Sequence, residues 1–112
     1  MSKELDANKI QELQMLEQNL QNLLLQKQAF QMELSETESA LEEIKKSGEK
    51  VFKVIGQLMI QTEKASIQKE LENKKKIIEA RLKSIEKQES IFSEKIEGLR
   101  EEFMKSMGKG QK

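Results

Sequence analysis

Lys50-Val51-Phe52-Lys53-Val54-Ile55-Gly56-Gln57-Leu58-Met59-Ile60-Gln61-Thr62-Glu63 is the only stretch of the chain in which β-branched and aromatic residues gather around a glycine. On both sides lie long proline-free runs of helix-favouring residues. Periodicity alone leaves the stretch open, because Val51, Val54, Ile55 and Leu58 also fall at helical spacing. The β-branched content, the bracketing Gly48 and Gly56, and a break in the flanking heptads favour two strands over about 50–63. A two-residue turn at Gly56-Gln57 fits a type II′ hairpin, with glycine supplying φ > 0 at the first turn position. That turn pairs Ile55 with Leu58, Val54 with Met59 and Lys53 with Ile60. One face then carries Val51, Ile55, Leu58 and Ile60, and the other Phe52, Val54 and Met59. Both faces are apolar, whereas a solvated sheet is polar on at least one side. An isolated hairpin is marginal in water and leaves two unpaired edges. Val51, Phe52, Val54, Ile55, Gly56, Leu58, Met59 and Ile60 are therefore expected to mediate subunit assembly. Burying the seven side chains is worth on the order of ten kcal/mol to whatever covers them.

Working outward, residues 5–46 read as a first helix. Placing heptad position a at Leu13, Leu20, Lys27, Leu34 and Leu41 puts d at Leu16, Leu23, Phe30, Thr37 and Ile44. Eight of these ten are apolar, which is a coiled-coil pattern. Glutamines fill much of the remaining surface between Gln11 and Gln31. Met15, Leu24 and Leu25 widen the apolar stripe and point to contacts beyond one partner helix. Lys45 and Lys46 suit the negative end of the helix dipole, and Gly48 suits a left-handed cap.

Carrying the phase of the first helix onward would put three lysines, Lys69, Lys76 and Lys83, at position a. The second helix, about 65–107 with Ser66 as a candidate cap, has slipped by one. Its d positions are Leu71, Ile78, Ile85, Phe92 and Leu99; its a positions are Lys75, Leu82, Glu89, Ile96 and Phe103. Again eight of ten are apolar. Each helix is about 42 residues, roughly 63 Å at 1.5 Å per residue. Equal lengths about a tight turn predict an antiparallel pair in which Lys27 and Glu89, the seam-breaking charges, meet as a register-setting pair. The fold class is thus all-α dominated: one domain, 1–112, a long antiparallel coiled-coil helical hairpin with a central β-hairpin that oligomerises. Gly108-Lys109-Gly110-Gln111-Lys112 is expected to be disordered.

Composition narrows the function. Of 112 residues 36% are charged and only 4% aromatic, which fits long helices better than a large globular core. No run is apolar enough to span a membrane. Met1 to Ile10 lacks the apolar segment of a signal peptide, so a cytosolic protein is expected. With no histidine, cysteine or tyrosine, the usual zinc ligands and nucleophilic triads are excluded. No cofactor and no enzymatic activity are expected. Glu42-Glu43 and Glu101-Glu102 are adjacent on helix surfaces and point apart, as solvated carboxylates do. Net charge is zero, split into −4 over residues 1–50 and +4 over 51–112. Opposite halves attract modestly when laid side by side, and no net basic face is offered to nucleic acid. Lys74-Lys75-Lys76 is smaller than the basic patches that bind nucleic acid.

The antiparallel pair brings both termini together, about 60 Å from the sheet. There Met1, Leu5 and Ile10 meet Phe103, Met104 and Met107. Met104 and Met107 lie off the seam, and methionine recurs on surfaces that accept many partners. These six are candidates for an adaptable apolar clamp at the end of the helix pair; the residues alone leave open that they are leftover apolar side chains at fraying ends.

The chain resembles the β-type subunits of the prefoldin family, nearest to the archaeal form. Val51-Phe52-Lys53-Val54-Ile55-Gly56 followed by Leu58-Met59-Ile60 is similar to that family's Val/Ile-Tyr-Lys-x-Val-Gly and Leu-Ile/Val run. Arg81-Leu82 and Lys87-Gln88-Glu89 look like its second helix. The single hairpin matches the β type, since the α type has two. The resemblance implies four such subunits and two α-type subunits joining hairpins into a double β-barrel. It also implies coiled-coil tips that hold unfolded client proteins without ATP and pass them to a group II chaperonin. Phe52 stands where the family often has tyrosine, and Ser47-Gly48-Glu49 is shorter than many of its linkers and lacks their proline and aspartates. Two other readings stand beside it: a structural scaffold or tether for one folded partner, and a nucleic-acid-binding arm using Lys74 to Lys76 with Lys83.

Overall fold

A computed structural model describes residues 2–110, with side chains described from 7 to 106. Four elements follow in order: α1 (Ser2–Lys46), β1 (Lys50–Ile55), β2 (Leu58–Glu63) and α2 (Lys64–Gly110). β1 and β2 form one antiparallel two-stranded sheet. Its register is Ile55 with Leu58, Val54 with Met59, Lys53 with Ile60, and so on to Lys50 with Glu63. The turn follows from Gly56, whose φ is +59°, while no described non-glycine residue has a positive φ. Positive φ at the first turn position and not at Gln57 is the type II′ pattern.

α1 ends differently from the glycine-capped expectation. Gly48 is absent from the positive-φ glycines, so it makes no left-handed cap. Ser47 closes the helix instead: its N–H donates to Ile44 O at 3.1 Å and its hydroxyl to the same oxygen at 2.8 Å. Lys64 supplies the rest. Its ammonium donates to Lys45 O at 3.3 Å and Ser47 O at 3.2 Å, satisfying carbonyls a helix end leaves free. Its N–H reaches Glu49 O at 3.0 Å. With Lys64 already the first residue of α2, Ser66 lies inside the helix and is not its cap. At the far end α2 runs on to Gly110, beyond the expected Met107, with no proline to stop it; Gln111 and Lys112 lie outside the described residues.

The chain divides into two compact units. In the unit spanning 28–83, the two helices pack beside the hairpin. Leu41, Ile78 and Leu82 are buried, and Phe30, Leu34, Ile44, Leu71 and Lys75 are half-buried. These are the seam positions, a and d, that the heptads predict. Thr37, also in the seam, is 3% exposed, and its hydroxyl donates to Glu33 O one turn back at 2.8 Å. The Arg81 guanidinium lies 5.6 Å from the Phe30 ring centroid, a cation–π distance.

In the unit made of residues up to Lys27 and from Ser84, Leu23, Ile85 and Ile96 are buried. Leu13, Leu16, Leu20, Phe92, Leu99 and Phe103 are half-buried. Three ion pairs accompany the antiparallel alignment here: Lys9–Glu102 at 3.4 Å, Glu17–Arg100 at 3.2 Å and Lys27–Glu89 at 3.1 Å. The outer two are solvent-exposed and contribute little. Lys27 and Glu89 sit in the seam itself, where the charges were expected to meet.

Candidate functional site

Pairing across the hairpin decides which side chains share a face, because residues opposite each other point the same way. Val51, Lys53, Ile55, Leu58, Ile60 and Thr62 take one face. Near the base it is half-buried at Val51, Lys53 and Thr62. Lys53 Nζ meets Glu70 Oε1 of α2 at 2.7 Å, tying the strand to the first turns of the helix that follows. Phe52 belongs to the opposite face, yet it lines a recess with Ala40, Ile44, Ile67 and Leu71. The Lys53–Glu70 pair thus joins the hairpin base to α2, while the Phe52 ring stays 62% exposed beside the recess.

Most of the sheet's apolar surface is nonetheless bare. Phe52, Val54, Ile55, Leu58, Met59 and Ile60 are all exposed, from 45% at Ile60 to 70% at Met59. Large apolar side chains crowd both faces of a six-residue-per-strand sheet, and each strand keeps one edge unpaired. An exposed edge beside exposed apolar side chains is a template for another strand, and a contiguous apolar patch marks an interaction surface. Of the eight assembly candidates, Val51 alone among those with side chains is half-buried. Gly56 acts through its backbone, which sets the turn.

The tip candidates are only partly within view. Met1 lies outside the described residues, and Leu5 in α1 and Met107 in α2 have side chains outside the described range. Ile10 is exposed, Phe103 is half-buried in the seam, and Met104 is 72% exposed. Lys9 pairs with Glu102, so Ile10 and the Phe103-Met104 turn are brought to the same end of their unit.

Two features had no signature in the sequence. The Lys53–Glu70 pair and the Lys64 capping bonds join residues far apart in the chain, and each lysine alone resembles any other surface lysine. Among the described residues no cluster of His, Cys, Asp or Glu could hold a metal ion, and no helix is long and apolar enough to cross a membrane.

Comparison with known proteins adds kinship. The sequence profile of the family described as Prefoldin subunit matches residues 7–110. A prefoldin subunit beta of Pyrobaculum neutrophilum is 42% identical over 93 residues, covering 80% of this chain and 73% of the relative. That of Thermococcus onnurineus is 37% identical over 98 residues, covering 86% and 84%. The crystal structure of the prefoldin beta subunit from Thermococcus strain KS-1 superposes with a TM-score of 0.85 at 32% identity, covering 91% of each chain.

Proposed function

Because this chain belongs to the prefoldin family, we propose that it is the β-type subunit of an ATP-independent co-chaperone that holds non-native proteins. Its hairpin joins those of further β-type copies and of α-type subunits, four β and two α, in a shared β-barrel. The helical arms present apolar ends that shield the exposed hydrophobic surface of unfolded clients in the cytoplasm and release them to a group II chaperonin.

The observation that carries this reading is the bare hairpin. Six large apolar side chains exposed on both faces of a two-stranded sheet make a poor monomer and a good joint. At roughly 1.5–3 kcal/mol per buried apolar side chain, association has an ample driving force before the entropy of joining is subtracted. Ile10 and Met104, exposed at one end, support the client-binding role. A single such end binds weakly, and several on one assembly gain by avidity.

Removing residues 1–10 and 103–112 tests the mechanism. The truncated chain should still assemble with its companions, by light scattering, and should lose suppression of aggregation of unrelated denatured proteins. Protection that survives the truncation removes the ends from the mechanism. A full-length assembly that ignores denatured proteins and binds one folded protein is a scaffold instead.

A further inference from the structure

Between Gln14 and Leu25 the outward side of α1 carries Gln14, Met15, Gln18, Gln21, Asn22 and Leu25, all exposed and none charged. In a chain that is 36% charged this is the reverse of an ordinary solvated coiled-coil face, where charged residues dominate. The charges nearby flank the seam, and Glu17 is engaged by Arg100 at 3.2 Å. The outward side of α2 in the same unit keeps Lys87, Glu94, Glu97 and Glu101 in solvent. One helix of the pair is thus neutral outside and the other is not. Met15 and Leu25 are 67% and 63% exposed, although neither is needed for the seam.

Chemistry selects the occupant. A glutamine or asparagine side chain is a primary amide, with one acceptor oxygen and two donor hydrogens, the same functions as a peptide group. A row of such amides beside a flexible thioether and a leucine matches a chain with unpaired peptide groups and apolar side chains, and sets no condition on its charge. Nucleic acid requires cations, and a membrane surface attracts basic amphipathic faces; this face has no cation. We propose that this uncharged face of α1 is a second client-binding surface, taking extended non-native polypeptide along the arm in addition to its end. The inference rests on the holdase reading above. Gln14 to Leu25 rises about 16 Å, the span of roughly five residues of extended chain.

The test places p-benzoylphenylalanine at Gln18 or at Met104 in the full chain, assembled with its companion subunits. Reduced, carboxymethylated α-lactalbumin serves as the permanently unfolded probe. Crosslinking from Gln18 is expected, with or without crosslinking from Met104. Crosslinking from Met104 alone overturns this inference and leaves the holdase reading standing; crosslinking from neither overturns both. In parallel, Gln14→Glu, Gln18→Lys and Gln21→Glu are combined, with opposite signs at i and i+4 so that the helix is supported. Probe binding should weaken by roughly three-fold or more at unchanged assembly mass. Unchanged binding shows that the contact contributes nothing and also overturns the inference.

Discussion

Lys27 Nζ lies 3.1 Å from Glu89 Oε2 across the helix seam, with the two side chains 25% and 27% exposed. Both charges occupy seam positions that are usually apolar, where a lone polar residue sets register at a cost in stability. Partial burial makes each costly without the other, whereas a well-packed apolar pair is at least as stable. Glu89→Leu alone should therefore destabilise by about 1–2 kcal/mol, and Lys27→Leu with Glu89→Leu should restore or raise the parent's melting temperature. Thermal unfolding of the parent, both single variants and the double variant reads the coupling directly. A double variant that melts below the parent would show that the pair supplies net stability and does not merely set register.

Thr37 offers a second reading of the seam. Its hydroxyl is buried and bonded only to Glu33 O, a carbonyl in the body of α1. Such back-bonding slightly weakens a helix. Thr37→Val keeps the shape and removes a buried polar group, so we expect a gain of about 0.5 kcal/mol. A loss of stability in chemical denaturation would mean that the hydroxyl bond outweighs its desolvation.

Gly56 is expected to resist substitution through backbone conformation alone. A β-carbon there would meet nothing within 4 Å, but φ is +59°. Gly56→Ala should cost about 1–2 kcal/mol of hairpin stability, and Gly56→Asn less, since asparagine tolerates this region better. The effect should appear in assembly, read by analytical ultracentrifugation, with little change in helix content by circular dichroism. Equal behaviour of the alanine variant and the parent would contradict the turn geometry.

The exposed sheet gives the most direct test of subunit joining. Val54 and Met59 are opposite each other and both well exposed. Val54→Lys with Met59→Lys should leave the folded chain almost unchanged and place like charges inside any sheet-to-sheet contact. Assembly should weaken by several kcal/mol, on the order of 4 or more for two unpaired buried charges, so that size-exclusion with light scattering finds dissociated chains. Intact assemblies would place the joint elsewhere on the chain.

Much of this could be read from residue order because one physical rule governs it. Every a and d position assigned from the heptads, from Leu13 to Ile44 and from Leu71 to Phe103, is buried or half-buried, since a continuous helix leaves no freedom in which side chains meet a single neighbour. Gly56-Gln57 fixed the strand register for a similar reason: a two-residue turn admits one pairing. The junctions were harder. Gly48 resembles a cap, but Ser47 and Lys64 satisfy the last carbonyls of α1, and a distant lysine has no local pattern. Lys53–Glu70 was hidden likewise, as an ion pair formed only once strand and helix are docked. For the end residues the sequence supplied side-chain type and position, and their work with clients is a question of binding that packing rules do not address.

Glu63 closes β2 and Lys64 opens α2 with nothing between them. With no loop at this joint, the direction in which the strand is laid down passes straight into the adjoining helical turns, where Lys53 meets Glu70. Whichever neighbours capture the strand also aim the start of the helix, so the same event that unites the subunits gives the first turns of α2 their heading.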